Sequence, residues 1–211
     1  MAQYLTVHPR NPQPRLIRRA ADVVHSGGVI VYPTDSCYAL GCRIGDKDAA
    51  QRIRLVRELP EDHHLTLVCA GLAQVAQYAR LDDSRFRTIK RITPGSYVFI
   101  LPATKEVPRR LQHPRRKTIG VRVPDHEVVM ALLAELHEPL LSSTLLMRGD
   151  DYPLNDVDTI RNRLDRRVDL VLDAGPCGLE PSTVVDLTAD VPVVVRRGKG
   201  PTAGFGWVDG D

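Results

Sequence analysis

Hydroxyl side chains occur in this sequence at positions where buried apolar residues are expected. Ser142, Ser143 and Thr144 interrupt an apolar, strand-like run that covers residues 140–146. A hydroxyl in the core of a sheet must find a hydrogen-bond partner, because leaving it unpaired costs about 1–3 kcal/mol. These three residues are therefore expected either to bond to the backbone or to line a functional site.

Arginine side chains occupy similar positions. Arg122 lies near the end of a strand-like run over 118–123, and Arg196 follows another apolar run. A guanidinium in such a place needs an anion or a carboxylate, because an unpaired charge is costly to remove from water. For either arginine alone, a salt bridge to a nearby acid is an equally good interpretation. Several such residues together, with Ser182 at another strand end, favour a pocket for an anionic small molecule.

The densest group of basic residues lies before residue 118. It is interpreted either as a solvated loop or as a patch for the RNA backbone, since phosphate contacts use lysine and arginine. The low aromatic content of 5% and the lack of an RNP-like motif argue against a protein that stacks single-stranded bases. The RNA-binding candidates are Arg109, Arg110, Arg115, Arg116 and Lys117.

The composition is that of an ordinary globular protein. The chain has 211 residues, of which 43% are hydrophobic and 26% charged, and a net charge of +3. No apolar run approaches the ~20 residues of a membrane span, and the N-terminal residues lack the apolar core of a signal peptide, so a cytoplasmic location is expected. The four cysteines show no zinc-like spacing, so no metal site is predicted and reduced thiols are expected.

Other sequence motifs give little support for familiar nucleotide or catalytic sites. The chain has neither a P-loop nor a GxGxxG motif. Asp62, His63 and His64 are not interpreted as an acid/base group, since neighbouring side chains on a strand point to opposite faces. The candidate site therefore consists of the hydroxyl and arginine residues described above.

Helix and strand patterns alternate along the chain without a linker, which favours one α/β domain over residues 1–198. We expect a twisted sheet, mixed or largely antiparallel, with helices packed on it, and a flexible glycine-rich tail over 199–211. Helices are predicted at 47–58, 72–78, 83–92, 127–136 and 156–164, after an amphipathic helix that ends at Gly27 and Gly28. Strands are predicted at 29–33, 65–69, 97–102, 118–123, 140–146, 168–172, 183–187 and 191–195.

Seven blocks follow one another over about residues 20–198. They are VIVYPTDSCYALG, ELPEDHHLTLV, TPGSYVFIL, KTIGVRVPDH, EPLLSSTLL, PSTVVDLT and VVVRRG. This series resembles the motifs of the YrdC/TsaC family. The second and fifth blocks differ from the family's usual lysine-x-arginine and serine-x-asparagine patterns and resemble its YciO branch. The resemblance implies a YrdC-like twisted sheet with a concave basic face.

Family members of the TsaC kind make threonylcarbamoyl-AMP from threonine, bicarbonate and ATP with magnesium, releasing pyrophosphate. The product modifies the adenosine beside the anticodon of some tRNAs. The resemblance therefore implies an L-threonylcarbamoyladenylate synthase that uses ATP and Mg²⁺ and is linked to tRNA modification. It implies substrate contacts by Ser36, Tyr38, Arg122 and Ser182, and nucleotide contacts by Thr118, Ser142, Thr144 and Arg196.

The family's catalytic lysine, arginine, serine and asparagine fall here on Arg57, Leu59, Thr144 and Leu146. Arg57 and Thr144 remain as catalytic candidates, and losing two hydrogen bonds of ~1.5–3 kcal/mol each predicts a synthesis rate lowered about 10² to 10⁴-fold. Arg54 shares a helix face with Arg57 and is a candidate replacement cation. Two alternatives stay open: a double-stranded RNA or tRNA-binding protein of the same fold without synthase activity, and a protein that holds an adenylate without turning it over.

Overall fold

The computed structural model describes residues 1–60 and 63–210, so Glu61, Asp62 and Asp211 lie outside the described residues. Within them, eleven strands form one mixed sheet, which confirms the predicted fold class. The strands are β1 (Gln3–Thr6), β2 (Ile30–Tyr32), β3 (Ala39–Arg43), β4 (Thr66–Val68), β5 (Tyr97–Pro102), β6 (Thr118–Arg122), β7 (Leu140–Thr144), β8 (Leu170–Asp173), β9 (Thr183–Asp186), β10 (Val193–Arg196) and β11 (Val208–Asp209). The helices are α1 (Pro14–His25), α2 (Lys47–Arg57), α3 (Leu72–Tyr78), α4 (Asp83–Ile92), α5 (Glu127–Leu136) and α6 (Val157–Leu164), and a 3₁₀ turn covers Arg109–Leu111.

The strand order places residues that are distant in sequence side by side. The order across the sheet is β1, β8, β2, β3, β7, β4, β6, β5, β9, β10 and β11. Cross-strand pairing joins Gly41 to Ser142, Ser142 to Thr66, Thr66 to Gly120 and Gly120 to Ile100. Directly paired residues point to the same face of a sheet, so these five positions form one row across its middle.

Two hydrophobic clusters lie on opposite faces of the sheet. Val29 and Val31 belong to the first cluster, and Ile30 and Tyr32 belong to the second, as the period of two in a strand requires. Helices α2 and α6 contribute to the first cluster, whereas α1 and α5 contribute to the second. Residues of β8, β2, β3 and β7 are therefore covered by helices on the second face.

The second cluster does not extend over the whole face. Among the described residues, none from β5 or β6 belongs to it. In β5, Tyr97, Phe99 and Leu101 are buried in the first cluster, whereas Val98 and Ile100 are only half-buried on the other face. This uncovered part of the sheet is where side chains of β4, β5 and β6 remain open to a ligand.

The start and end of α2 fix the position of its last turn. The Asp46 carboxylate accepts a hydrogen bond of 2.9 Å from the Ala49 N–H at the N-terminus. At the other end Glu58 adopts a left-handed conformation with φ 54°, which stops the helix after Arg57. Arg57 is thereby held beside β7. None of the described helices has both the length and the apolar character needed to cross a membrane.

The predicted helices at 72–78, 83–92 and 127–136 agree with α3, α4 and α5 to the residue. Strands β1, β3 and β11 are absent from the sequence prediction. In β3, a Cβ added at Gly41 would lie 2.7 Å from the Tyr32 ring, so the close packing of these strands depends on glycine. This strand pairs with β2 on one side and β7 on the other. Tertiary pairing, rather than local propensity, makes β3 a strand.

The glycine-rich tail lies against the sheet. The Tyr97 hydroxyl donates a hydrogen bond of 2.9 Å to the Pro201 carbonyl, and Thr183 Oγ1 donates one of 2.6 Å to the Gly200 carbonyl. Trp207 stands edge-on to the Tyr97 ring, and β11 pairs with β10. These contacts describe where the segment packs, while the flexibility expected for residues 199–211 stays a prediction.

Candidate functional site

A cavity of about 260 Å³ opens on the uncovered part of the sheet. We call it the main cavity. Its lining comes from β3, β4, β5, β6, β7, β9 and β10, from α2 and from adjoining loops. Of the catalytic, nucleotide and substrate candidates, it brings together Arg57, Thr118, Arg122, Ser142, Thr144, Ser182 and Arg196, and leaves out Ser36 and Tyr38.

Arg122 forms a buried ion pair with Asp35. Its Nη2 lies 2.5 Å from Asp35 Oδ1, and the Ser96 hydroxyl donates a hydrogen bond of 2.6 Å to the other carboxylate oxygen. Only 8% of the Arg122 side chain and 11% of the Asp35 side chain are exposed. Arg122 Nε is buried and has no hydrogen-bond partner in the described chain. The guanidinium therefore keeps one buried donor without a partner among the described residues, on a residue that lines the main cavity.

Arg57 and Arg196 are bound by neutral groups alone within the described residues. Arg57 Nε donates to the Leu146 carbonyl at 2.7 Å and its Nη1 donates to Ser143 Oγ at 2.6 Å. Arg196 Nη2 donates to the Ser182 carbonyl at 2.8 Å. Burial and the neighbouring Arg196 charge lower the pKa of Arg57 to about 10, and burial also lowers the pKa of Arg196. Two like charges held without a carboxylate favour an anionic ligand.

The hydroxyl groups of the main cavity divide into two kinds. Ser142 Oγ donates to the Leu40 carbonyl at 3.0 Å and lies 2.6 Å from the Tyr32 hydroxyl, so internal partners hold it. The side chains of Thr118 and Thr144 line the cavity and make no hydrogen bond to the described residues. Some hydroxyls of these strands therefore bond to internal partners, as at Ser142, whereas those of Thr118 and Thr144 are open to a ligand.

Ser36 and Tyr38 lie behind the main cavity. Ser36 is fully buried, and its Oγ lies 3.3 Å from Ser182 Oγ, so it reaches the cavity only through that residue. Tyr38 is also fully buried, and its hydroxyl donates to the Gly175 carbonyl at 2.8 Å and accepts from the Ala174 N–H at 3.3 Å. The structure places Tyr38 in the core and does not bring it to the cavity, because its ring extends toward the loop after β8.

Two features in and beside the main cavity were not predicted from the sequence. Asp35, the partner of Arg122, stands in the PTDS loop and carries no pairing signal of its own. Val98, Ile100 and Val184 form an apolar floor. The alternation of residues along β5 predicts that Val98 and Ile100 lie on the same face of the sheet. It does not predict that helices leave this face uncovered.

Arg54 does not line the main cavity, so it does not stand beside Arg57 there as the replacement cation. It lines a neighbouring second cavity of about 280 Å³. Residues three apart on a helix still differ by about 60° around its axis, and here that separates the two guanidiniums. The side chains that define the second cavity are Arg54, His63, His64, Arg109, Arg110 and Lys117. Of the other basic candidates, Arg116 lines the main cavity and pairs with Asp186, whereas Arg115 is exposed and lines neither.

The donor set of the main cavity suits phosphate or carboxylate oxygens and not a metal ion. No Asp or Glu is among its described lining residues. In the described chain, His, Cys, Asp and Glu side chains form no group of three that could hold a metal. The four cysteines are free thiols. A magnesium ion would therefore find no carboxylate ligands from this cavity's described residues, and magnesium commonly binds through substrate phosphates.

The twisted mixed sheet, with this cavity on its uncovered face, defines a YrdC-like α/β protein. The chain belongs to the Sua5/YciO/YrdC family. The model of this family, which carries the description "Telomere recombination", matches residues 22–198. The family resemblance predicted from the motif blocks is confirmed.

Three comparisons describe the relationship. YciO of Escherichia coli strain K12 is 50% identical over 205 residues, covering 97% of this chain and 100% of that protein, and a crystal structure of E. coli YciO has a TM-score of 0.94 with the same coverage. A threonylcarbamoyl-AMP synthase of Chromobacterium violaceum is 35% identical over 182 residues, covering 85% of this chain and 92% of that protein. The structure of P. abyssi Sua5 complexed with L-threonine has a TM-score of 0.84 at 27% identity, covering 92% of this chain and 57% of that one.

Proposed function

We propose that the main cavity binds an adenylate and that the chain makes L-threonylcarbamoyladenylate from threonine, bicarbonate and ATP. The observation that carries the proposal is the pair Arg57 and Arg196, two guanidiniums in one hollow with no carboxylate partner in the described chain. The synthase from C. violaceum and the threonine complex of Sua5 support the same chemistry. The product would serve the threonylcarbamoyladenosine modification of tRNA.

In this proposal each part of the ligand contacts a different part of the lining. A purine ring would lie on the floor of Val98, Ile100 and Val184, and the open hydroxyls of Thr118 and Thr144 would donate to or accept from the nucleotide. A concave site that combines an apolar floor with polar groups that fix the ligand's orientation is typical of small-molecule sites. The guanidinium of Arg122, which lines the main cavity, would bind the threonine carboxylate.

The reaction needs positioned cations more than acid/base groups. An oxygen of the threonine carbamate attacks the α-phosphorus, a P–O bond forms, and the bond to the β-phosphate breaks to release pyrophosphate. The attacking oxygen is already anionic, so no proton has to be removed from it. Arg57 and Arg196 would stabilise the charge that develops on the phosphate oxygens, and Mg²⁺ would enter on the phosphates of ATP.

Two departures from the family pattern predict weak or altered activity. Leu146 lines the main cavity and presents an apolar side chain where the resemblance implies an asparagine. Leu59 is not among the described residues that line the cavity. Both side chains are apolar where the resemblance implies polar groups, so the expected reduction is about 10² to 10⁴-fold for two lost hydrogen bonds.

The test combines product detection with a matched pair of variants. Incubation with ATP, Mg²⁺, bicarbonate and threonine should yield threonylcarbamoyl-AMP by mass spectrometry. Arg196→Gln should weaken AMP binding about tenfold to a hundredfold, the effect of one charged hydrogen bond. Arg197→Gln is the control, because Arg197 pairs with Asp209 away from the main cavity. Absence of the adenylate together with unchanged AMP affinity in Arg196→Gln would reject the proposal.

A second candidate function is RNA binding by the basic segment. Arg109, Arg110, Arg115 and Lys117 are exposed on one surface beside the main cavity. Binding to duplex RNA through phosphates would weaken steeply with salt, and Arg115→Gln would lower RNA affinity without changing AMP affinity. A flat salt titration contradicts this function.

A further inference from the structure

The second cavity concentrates positive charge from three separate elements. Arg54 comes from the last turns of α2, Arg109 and Arg110 come from the 3₁₀ turn, and Lys117 lies directly before β6. No Asp or Glu is among the described residues of its lining, and none of these four cations forms a salt bridge within the described chain. Among the described residues, four positive charges therefore surround one cavity without a carboxylate partner.

Several donors in this cavity have few protein partners. Arg54 Nε is buried and has no hydrogen-bond partner in the described chain. The Arg109 guanidinium makes no hydrogen bond to the described residues. Arg110 donates to the Gly45 carbonyl, and Lys117 Nζ donates to the Pro114 carbonyl at 2.7 Å, so both are directed by neutral acceptors. An unpaired buried donor costs free energy unless a ligand or water fills it.

We propose that the second cavity is a binding site for an oligophosphate, a chain of two or more linked phosphate groups. A single phosphate carries about two negative charges, fewer than the four cations that line the hollow. Arginine forks suit phosphate oxygens because they offer paired donors in one plane. The negative charges of a phosphate chain are distributed along its length. The guanidiniums that line the cavity are likewise distributed, because they come from two separate elements, α2 and the 3₁₀ turn.

The second cavity adjoins the main cavity, because His63 and His64 line both. An oligophosphate there has two sources: the phosphate tail of a nucleotide in the main cavity, or a free ion such as pyrophosphate. The first source rests on the proposed function, whereas the second does not. The site itself is defined by the four cations in either case.

The test titrates tripolyphosphate into the protein by calorimetry. We expect the Arg109→Gln, Arg110→Gln double variant to bind it at least ~10-fold more weakly, since two charge-assisted contacts are lost. Arg109→Gln alone should show part of the loss, and it removes no hydrogen bond from the described fold. Arg115→Gln is the matched control from the same segment, because Arg115 is exposed and lies outside the cavity lining.

The results separate this site from the main cavity and from a general attraction of anions. Affinity retained in Arg196→Gln and lost in the double variant supports the site, even if no adenylate is ever synthesised. A selective loss of ATP affinity over AMP affinity in the double variant identifies the nucleotide tail as the source, whereas a loss of tripolyphosphate affinity with ATP and AMP affinities both unchanged identifies a free ion. Equal losses in Arg115→Gln and the double variant, a loss confined to Arg196→Gln, or binding of duplex RNA without tripolyphosphate would overturn the proposal.

Discussion

Two corners of the main cavity hold arginines in opposite electrostatic surroundings. In the first, the Asp35 corner, Arg122 forms a buried ion pair with Asp35, which also accepts from Ser96. In the second, the open corner, Arg57 and Arg196 are bound only by hydroxyl and carbonyl oxygens among the described residues. Arg122 therefore has a carboxylate partner, whereas Arg57 and Arg196 have none among the described residues.

This difference separates stability from binding. A buried pair that loses one member leaves an uncompensated charge, so residues of the Asp35 corner should affect unfolding most. Guanidiniums without a carboxylate already carry that cost in the free protein, and an anionic ligand relieves it. Residues of the open corner should therefore affect ligand binding more than the stability of the free protein.

The largest predicted effect is that of Asp35→Asn. The change leaves the Arg122 charge buried without its partner, since only 8% of that side chain is exposed. We expect the free energy of unfolding in urea to fall by about 3–5 kcal/mol. The double variant Asp35→Leu, Arg122→Met should recover much of this loss, because it removes both charges together.

Asp186→Asn provides the comparison for that experiment. Asp186 pairs with Arg116, whose side chain is 51% exposed against 13% for Asp186, so solvent screens one end of the pair. Asparagine keeps an Oδ1 that can accept the two hydrogen bonds that Thr188 donates to Asp186. The expected loss is at most about 1 kcal/mol. If the two single variants lose equal stability, the ion pair with Asp35 has no special structural role.

The next effect concerns the open corner and requires a ligand. With AMP present at ~100 times its dissociation constant, binding should raise the free energy of unfolding of the wild type by about 2.7 kcal/mol. Arg57→Gln or Arg196→Gln, with AMP affinity lowered about tenfold to a hundredfold, should lose about 1.3–2.3 kcal/mol of that increase and change little in the absence of AMP. The measurement is urea unfolding with and without AMP at constant ionic strength, and Arg197→Gln should behave as the wild type. Full AMP stabilisation in both cavity variants would contradict the distinction between the corners.

The sequence identifies which residue types are unusual but not how their charges are compensated. Arg122 and Ser142 stand out because each interrupts an apolar run, and the structure brings both to the main cavity. Asp35 is 87 positions from Arg122, so their pairing depends on a strand order that no local pattern specifies. Tyr38 precedes a strand that forms through pairing on both sides, and without that strand the direction of its ring could not be assigned.

The smallest predicted effect lies beside the Asp35 corner and depends on pH. His126 caps α5, where its Nδ1 accepts a hydrogen bond of 3.3 Å from the Val128 N–H, so the cap requires the neutral ring. Burial lowers the pKa of His126 in the folded protein, with Asp35 and Arg122 among the charges that act on it. The unfolded chain therefore takes up a proton first as the pH falls below about 6.5. The stabilising cap is fully present above that pH and is lost as the pH falls through the lower pKa of the folded state.

His126→Asn tests this sign, because asparagine caps a helix without titrating in this range. Between pH 7.5 and pH 5, the free energy of unfolding of the wild type should fall by about 0.5–1 kcal/mol more than that of the variant, the amount typical of one helix cap. Urea unfolding at both pH values measures the difference. An identical pH dependence in the two proteins would mean that protonation of His126 does not break the cap, and the Asp35 corner would then owe its stability to the ion pair without a contribution from the adjoining helix terminus.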